Sequence, residues 1–258
     1  MSDQVVSIVT GASQGIGQVI ATELASRGDV VVLAARNAAG LEETAGRIDH
    51  AGGEHLVVET DVTSDASVDS MVRTVMERLG RIDNLVNNSG VGGPSGRLWE
   101  VDPDEWRATY DVNVFGVFSV TRIALPVMID QGSGSVVIVG SISGKRPLFG
   151  RSAYTSTKTA LIGLTRTLAI EAGPHGIRVN LVSPGFVAGP RIEWAMKAQS
   201  EARGIDVDEV RAEFEGESPL GRLTDPTDVA RTVAFLTSES SAGITGADVN
   251  VNSGVVMY

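Results

Sequence analysis

The stretch QVVSIVTGASQGIGQVIATELASRG, residues 4–28, decides the fold. Its first part, residues 4–10, is an apolar run typical of a buried strand, and apolar residues recur at helical spacing from Ile16 to Leu24. The turn between them is built on Gly11, Gly15 and Gly17. Such a turn lets backbone N–H groups approach a pyrophosphate at the positive end of the helix. Glycines could serve the turn alone, but their place between strand and helix favours nucleotide binding.

Outward from this unit, strand-like and helix-like segments alternate to the end of the chain. Right-handed crossovers between such strands imply one parallel sheet covered by helices on both faces. The sequence therefore predicts a single-domain, doubly wound α/β Rossmann fold over residues 1–258, with a seven-stranded parallel sheet. Its ligand should bind beyond the carboxyl ends of the strands, where the strand order reverses. The further strands are predicted at residues 29–35, 55–60, 82–87, 135–141, 177–182 and 247–251, and the helices at 41–48, 68–79 and 104–129, around Tyr154 and from Pro226 onward.

The end of the second strand bears on the choice of nucleotide. Ala35 and Arg36 stand where a dinucleotide fold usually presents an acidic residue to the adenosine ribose, about 20 residues after the glycines. An arginine can clamp a 2′-phosphate that an acid would repel, so this position favours NADP(H) over NAD(H). Gln14 in the glycine loop adds no second positive charge, and Arg36 could instead stack on adenine or lie in solvent. NAD(H) therefore stays open.

Tyr154 and Lys158 are four residues apart, which places them on one face of the predicted helix. A free phenol has a pKa near ~10 and is a poor base at neutral pH, but a nearby cation lowers that pKa. Lys158, helped by the positive charge of a bound nicotinamide, can supply this effect. Such pairs are also common on half-exposed helices, so the pair alone does not establish catalysis. Ser141 ends a predicted strand and could simply cap it, and Asn113 could bond its own backbone within its helix.

Composition excludes several functional classes. The 258 residues include no cysteine and only three histidines, which excludes disulfides, thiol chemistry and a histidine cluster, so we expect no catalytic metal. A formal charge of -11 argues against nucleic acid or an anionic membrane as a partner. The first residues show no basic segment followed by an apolar one, so we expect a cytoplasmic protein.

Residues 186–223 do not follow the alternating pattern, and we expect them to form a substrate lid with two short helices. The candidate wall residues of the substrate site favour an apolar or aromatic substrate. The alternative is that they are ordinary core residues. Acidic residues of the lid would favour a cationic substrate unless they are solvated. The candidate wall residues are Ser143, Leu148, Phe149, Phe186 and Trp194, and the acidic residues are Glu193, Glu201 and Asp206. The apolar tail SGVVMY predicts burial in a neighbouring subunit.

Taken together and in order, these motifs resemble those of the short-chain dehydrogenase/reductase family over essentially the whole chain. Each motif is weak alone, but the ordered set is highly specific. The matching pieces are TGASQGIG at residues 10–17, Asp61-Val62, NNSG at residues 87–90, Asn113, Ser141, Tyr154 with Lys158, and Pro184-Gly185.

The resemblance implies a role for each matching residue. Tyr154 would be the general acid/base, and Ser141 would bond the same substrate oxygen. Lys158 would bind the nicotinamide ribose, while Asn113 would hold a water that links Lys158 to solvent. Asp61 and Val62 would contact adenine, Asn88 the adenosine ribose and Val187 the carboxamide. The other implied cofactor contacts are Gly11, Ser13, Gln14, Ile16, Gly17, Gly90, Pro184 and Gly185.

Two departures from the family pattern are visible. The usual NNAG is NNSG here, and Gly189 stands where a threonine often follows the Pro-Gly pair, so cofactor binding at that end would rest on backbone groups. The expected function is hydride transfer between NAD(P)(H) and a secondary alcohol or its ketone. An epimerase or dehydratase on the same fold, or a nucleotide-sensing relative without turnover, stays open. The resemblance also implies a homo-oligomer, a tetramer or dimer built on the long helices.

Overall fold

Seven parallel strands form one sheet in the computed structural model, which describes residues 4–146 and 148–258. Numbered along the chain, the strands are β1 Val6–Thr10, β2 Val30–Ala35, β3 Glu54–Glu59, β4 Asn84–Asn87, β5 Gly134–Val139, β6 Ile177–Pro184 and β7 Asp248–Val251. Their order in the sheet is β3-β2-β1-β4-β5-β6-β7. The order reverses between β1 and β4, and this confirms the predicted doubly wound fold. The expectation of a chain start without a signal sequence rests partly on residues 1–3, which lie outside the described residues.

Helices cover both faces of the sheet. They are α1 Gly15–Ser26, α2 Ala38–His50, α3 Asp65–Leu79, α4 Pro103–Tyr110, α5 Gly116–Gln131, α6 Ser152–Ala172, α7 Pro190–Arg203, α8 Val207–Gly216 and α9 Pro226–Leu236. The start of α9 is capped by a side chain. The Asp225 carboxylate accepts from the Thr227 N–H at 2.8 Å, and Pro226 follows in the first turn.

The core has two layers because successive side chains of a strand point to opposite faces. In β1, Ile8 packs on one face with apolar residues of α3, α5 and α6, while Val9 packs on the other with residues of α1, α2 and α9. Both side chains are fully buried. Burying an aliphatic side chain of this size contributes about 1.5–3 kcal/mol. Because helices cover both faces of the sheet, successive strand residues are all buried, which explains the continuous apolar runs in the strands.

The predicted helix at residues 104–129 is one continuous helix, Pro103–Gln131, but it is not α-helical throughout. A π-helical turn, Asp111–Phe115, joins α4 to α5 within this predicted helix. By length and composition this helix is apolar enough to cross a membrane. Val117, Val120 and Ala124 are buried in the sheet-facing core, which accounts for that composition in a core helix.

The two helices predicted within residues 186–223 are α7 and α8, and they enclose a small core of their own. Met196 and Val210 are fully buried between them, and the rings of Phe186 and Phe214 meet edge to face at 4.8 Å between centroids. A single bridge between Val187 and Thr224 ties the start of the segment to the chain that follows it.

Candidate active site and cofactor cleft

The glycine turn between β1 and α1 leaves no room for a side chain at Gly11 or Gly17. The Gly11 N–H donates to the Ala34 carbonyl at 2.7 Å, and its φ of +67° favours glycine. A Cβ on Gly17 would lie 2.2 Å from the Gly11 oxygen and 2.4 Å from Asn88 Nδ2. Gln14, the N-cap of α1, makes no side-chain cap, and no acidic side chain lies in the first turn. The first amides of α1 therefore suit the pyrophosphate of a dinucleotide. Ser13 and Ile16, half-buried, flank this turn.

The expected adenosine-binding residues lie at the ends of β2 and β3. Asp61 Oδ1 accepts from the Thr63 N–H at 3.0 Å and from the Thr63 hydroxyl at 2.8 Å. The Thr63 N–H lowers the pKa of Asp61 most; burial opposes it, and the Thr63 hydroxyl and Arg36 lower the pKa further. Arg36 is exposed, and with Val62 and Asp111 it lines an open cleft of about 650 Å³. Both a 2′-phosphate and an adenine ring could reach this guanidinium.

The NNSG motif joins β4 to β1 at the carboxyl edge. The Thr10 hydroxyl accepts from the N–H groups of Asn88 and Ser89, both at 3.0 Å, and Asn88 Nδ2 donates to the Thr10 carbonyl at 2.9 Å. Because residue 89 contributes its backbone N–H here, the change from alanine to serine leaves this tie intact. Asn88 thus joins two strand ends. Asn87 differs, because its amide donates to Thr121 of α5 at 3.0 Å rather than to another strand.

Asn113 occupies the centre of the π-turn and is fully buried. Its Oδ1 accepts from the Val91 N–H at 2.8 Å, and its Nδ2 donates to the Val91 carbonyl at 3.0 Å and to the Thr157 hydroxyl at 3.1 Å. A Cβ on Gly90 would lie 3.3 Å from Asn113 Oδ1 and 3.6 Å from Lys158 Nζ. Asn113 therefore fixes the loop after β4 against α6, beside Lys158.

The structure brings Ser141, Tyr154 and Lys158 together, as the motif set predicted. Ser141 follows β5; its Oγ accepts from the Ser143 N–H at 3.1 Å, forms a hydrogen bond with Ser143 Oγ at 3.2 Å and lies near the Tyr154 phenol. Lys158 is buried; its Nζ donates to the Val139 carbonyl at 2.9 Å and lies 5.7 Å from the centre of the Tyr154 ring. A phenol, a hydroxyl and an ammonium group thus share one pocket at the carboxyl edge of the sheet.

Two arginines complete the surroundings of Tyr154. The guanidinium carbons of Arg151 and Arg191 each lie 5.5 Å from the centre of its ring. Burial alone would raise the pKa of Tyr154, but Lys158, Arg191, the Ser141 hydroxyl and Arg151 together bring it below its ordinary value. Burial lowers the pKa of Lys158, Tyr154 opposes this, and Arg191 adds to it.

Sequence reasoning missed both arginines. Arg151 stands three residues before Tyr154, a spacing that places neighbours on one helix face and could have revealed it. Arg191 comes from the first turn of α7, and only the tertiary structure places it here.

The far end of the cleft is formed by the Pro-Gly pair after β6. The Gly185 N–H donates to the Val251 carbonyl at 3.0 Å, and a Cβ on Gly185 would lie 2.8 Å from Asn252 Cα. Pro184 ends β6, and Val187 forms the bridge to Thr224. Gly189, with a φ of +141°, precedes α7 and offers no side-chain cap. Backbone groups are thus what the chain offers a cofactor at this end.

Four of the five candidate wall residues, Ser143, Phe149, Phe186 and Trp194, lie in different environments. Ser143 is buried beside Ser141, and Phe186 packs on Phe214 in the small core of α7 and α8. Phe149 and Trp194 are 88% and 73% exposed. No continuous apolar wall joins these four side chains, so an aromatic substrate gains no direct support from them. Among residues 4–146 and 148–258, no group of three or more His, Asp or Glu side chains could hold a metal ion.

Comparison with known proteins identifies the family. The family model described as "Enoyl-(Acyl carrier protein) reductase" matches residues 11–256. Curated relatives that are at least 34% identical over nearly the whole chain include a reductase and a dehydrogenase. The chain belongs to the short-chain dehydrogenase/reductase family, whose members use nicotinamide dinucleotides, and the tight glycine turn before α1 fits this cofactor class.

Particular relatives show the range of activities around this chain. It is 34% identical over 255 residues to a 3-oxoacyl-[acyl-carrier-protein] reductase of Synechocystis sp., covering 98% of this chain and 97% of that protein. It is 36% identical over 249 residues to the cis-4-hydroxycyclohexanecarboxylate dehydrogenase of Sinomonas cyclohexanicum, covering 96% and 95%.

Two solved structures are similarly close. A variant of actinorhodin polyketide ketoreductase with NADPH superimposes with a TM-score of 0.95 at 33% identity, covering 99% of this chain and 98% of that one. An NAD+-bound xylitol dehydrogenase gives a TM-score of 0.92 at 31% identity, covering 97% and 98%. One of the two carries the phosphorylated cofactor and the other does not, so the similarity to them leaves that choice open.

Proposed function

We propose that this chain interconverts a secondary alcohol and its ketone with NAD(P)(H), and that Tyr154 is the general acid/base. The observation that carries this proposal is the environment of the Tyr154 phenol, which lies near the Ser141 hydroxyl and has Lys158 Nζ 5.7 Å from the centre of its ring. A lowered phenol pKa brings a base closer to working pH, where general acid–base catalysis is most effective.

In the mechanism, the cofactor supplies or accepts a hydride when bound. Tyr154 holds the proton at its Oη, giving it to the carbonyl oxygen in reduction and taking it from the hydroxyl in oxidation. Ser141 bonds the same substrate oxygen and keeps it within reach of the phenol. Lys158, held by the Val139 carbonyl, stabilises the phenolate that remains after reduction.

Asn113 acts in this proposal through position. Both of its amide atoms bond to protein groups, and these bonds hold Gly90 and Val91 beside Lys158. A carbonyl oxygen has two lone pairs, and a second one on Asn113 Oδ1 could accept from a water that carries the proton onward from Lys158.

The proposal includes a preference for NADP(H). Arg36 is exposed at the end of β2, where its charge could pair with a 2′-phosphate. Such a preference would direct the enzyme toward ketone reduction. We also propose that α7 and α8 form the substrate lid over residues 186–223, and that the protein acts in the cytoplasm on a small molecule.

The test compares Tyr154→Phe with Tyr110→Phe. The ring of Tyr110 stacks on that of Trp106 at 4.5 Å between centroids, and among the described residues its hydroxyl makes no hydrogen bond that would be lost. We expect Tyr154→Phe to keep its fold and its NADPH affinity but to lose roughly 10²–10⁴-fold in turnover, the usual contribution of a general acid/base. Circular dichroism, NADPH fluorescence titration and ketone reduction measure the three properties. Turnover of Tyr154→Phe within a few-fold of that of Tyr110→Phe would rule out Tyr154 as the proton donor.

A further inference from the structure

Arg151 and Arg191 converge on one point beside the catalytic tyrosine. A Cβ placed on Gly92 would lie 3.0 Å from Nη2 of Arg151 and 2.8 Å from Nη2 of Arg191. The two nitrogens are therefore no farther apart than these two distances together, and one small group could contact both. Because each guanidinium carbon also lies 5.5 Å from the centre of the Tyr154 ring, the two arginines converge beside that ring.

Neither arginine has a carboxylate partner among the described residues. Arg151 donates to the Ser95 hydroxyl at 2.6 Å and to the Gly92 carbonyl at 2.7 Å, both of which are neutral. Arg191 makes no hydrogen bond or ion pair within that part of the chain. Elsewhere, arginines of the lid region do pair with acids, as Arg203 does with Glu213 at 2.6 Å. The pocket therefore holds two cations close together without a counter-charge.

The guanidinium groups of Arg151 and Arg191 repel each other as long as no anion is bound between them. Burial lowers the pKa of Arg151, Arg191 lowers it further and Tyr154 opposes the change. Lys158 adds a third positive charge on the same ring. The lid acids do not relieve it: Glu193 pairs with neither arginine, and the Asp206 carboxylate caps α8 by accepting from the Asp208 N–H at 2.8 Å. An anionic ligand would offset this repulsion, whereas a cationic one would add to it.

We propose that Arg151 and Arg191 bind a carboxylate of the substrate, which is then a keto acid or the corresponding hydroxy acid. Guanidinium groups match carboxylates because their N–H donors fit two oxygens at once. The carboxylate accepts hydrogen bonds from Arg151, which immediately precedes α6, and from Arg191 in the first turn of α7. The reacting oxygen of the same substrate contacts Tyr154 and Ser141. This assignment deepens the proposed function and rests on it.

The first test uses ketones as matched acids and esters: acetoacetate, levulinate and 3-oxocyclohexanecarboxylate, each with its methyl ester. We expect the acid to exceed its ester in kcat/KM. In Arg151→Gln and Arg191→Gln this acid-to-ester ratio should fall roughly 10- to 100-fold, as for the loss of a charge-assisted hydrogen bond. Using a ratio cancels any effect of the arginines on Tyr154. Arg191→Lys, which keeps the charge, should retain more of the ratio than Arg191→Gln.

Arg73→Gln is the matched control, because Arg73 pairs with Asp69 on the surface of α3. Its ratio should equal that of the wild type. Esters that are turned over faster than their acids throughout the panel would overturn the carboxylate site while leaving ketone reduction established.

The second test separates the two proposals by measuring binding without turnover. Calorimetry of the NADPH-loaded protein with benzoate and with benzamide should show saturable binding of benzoate alone, and Arg151→Gln/Arg191→Gln should lose it. A protein that reduces no ketone but binds benzoate in this way would refute only the proposed reaction; absence of benzoate binding would refute the carboxylate site. NADPH affinity that falls tenfold or more in the double variant would assign the anion to the cofactor diphosphate and overturn the proposal.

Discussion

The phenol of Tyr154 is subject to two opposing effects of its surroundings. Burial favours the neutral phenol, and Lys158, Arg191 and Arg151 favour the phenolate. The positive groups prevail, so the phenolate forms at a lower pH than in a free tyrosine. The proposed reaction should therefore respond to pH through the charges around this one ring.

The first prediction concerns that response. Because oxidation needs the phenolate, kcat/KM for the alcohol should rise with pH and level off below the ordinary phenol pKa of about 10. Reduction needs the phenol and should fall over the same range. Arg191→Gln removes one of the charges that lower the pKa, so both midpoints should move to higher pH. Rate profiles in both directions measure this, and unchanged midpoints in the variant would show that Arg191 does not act on the phenol.

A second prediction at this scale concerns Arg36. If Arg36 holds the 2′-phosphate, Arg36→Asp should weaken NADPH binding roughly 10- to 100-fold, because it replaces a charge-assisted bond with repulsion, and should change NADH binding much less. Fluorescence titrations with both cofactors at one salt concentration give the two dissociation constants. An equal loss for NADPH and NADH would remove the reason for proposing NADP(H), since an adenine contact serves both cofactors alike.

At the scale of single elements, the apolar pattern of the helix Pro103–Gln131 predicts the helix but not the π-turn within it. Its apolar periodicity predicted a long helix correctly, because amphipathic spacing follows from helix geometry alone. The π-turn at Asp111–Phe115 depends instead on Asn113 reaching Val91 and Thr157, which are distant in sequence. Such turns occur often at functional sites, where one extra residue redirects a side chain.

The third prediction tests this turn with Asn113→Ala. Removing the amide leaves the part-buried N–H and carbonyl of Val91 without their partner, which should destabilise the fold by about 1–3 kcal/mol. Turnover of the remaining folded protein should also fall, because Gly90 and Val91 lose their position beside Lys158. Denaturant unfolding and kcat of the folded fraction are the measurements.

Asn180→Ala is the control for that variant. Asn180 is also fully buried and holds a loop with both amide atoms, donating to Ile244 O at 2.9 Å and accepting from Ala247 N at 3.1 Å, but it lies outside the pocket. It should lose comparable stability and keep its turnover. If both variants lose turnover equally, Asn113 has only a structural role.

The site was predicted from the sequence as far as local order allowed. The glycine turn, Ser141, Tyr154 and Lys158 follow strands or share a helix face, and parallel strands bring such residues to one edge. Arg191 could not be predicted, since α7 reaches Tyr154 only through the tertiary packing of residues 186–223. The exposed positions of Phe149 and Trp194 likewise follow only from the tertiary structure.

At the scale of the whole molecule, apolar side chains are exposed on the long helices. Phe118 of α5 is 50% exposed and Ile170 of α6 is 78% exposed, while Met257 and Tyr258 extend from the tail. Exposed apolar groups on helices of this size are typical of subunit interfaces. We therefore propose that the protein is a homo-oligomer in which these helices meet their copies.

The fourth prediction follows from having two such faces. In a tetramer that uses both, Phe118→Asp and Ile170→Asp should each give a dimer, because a buried unpaired charge disrupts one interface. In a dimer, only one of the two changes should give a monomer. Light scattering after size exclusion gives the masses. Trp194→Asp, an equally exposed position on α7, should leave the mass unchanged, and an unaltered mass in all three variants would place the interface elsewhere.

Gly92 offers a different consequence for anyone who wishes to redesign this protein. The space above its Cα is where the two arginine side chains meet, so a methyl group there would push both aside at once. One small mutation could thereby retune selectivity while every charged residue is retained. Laboratory evolution that selects for neutral ketones should find position 92 early, since a single base change in a glycine codon supplies alanine.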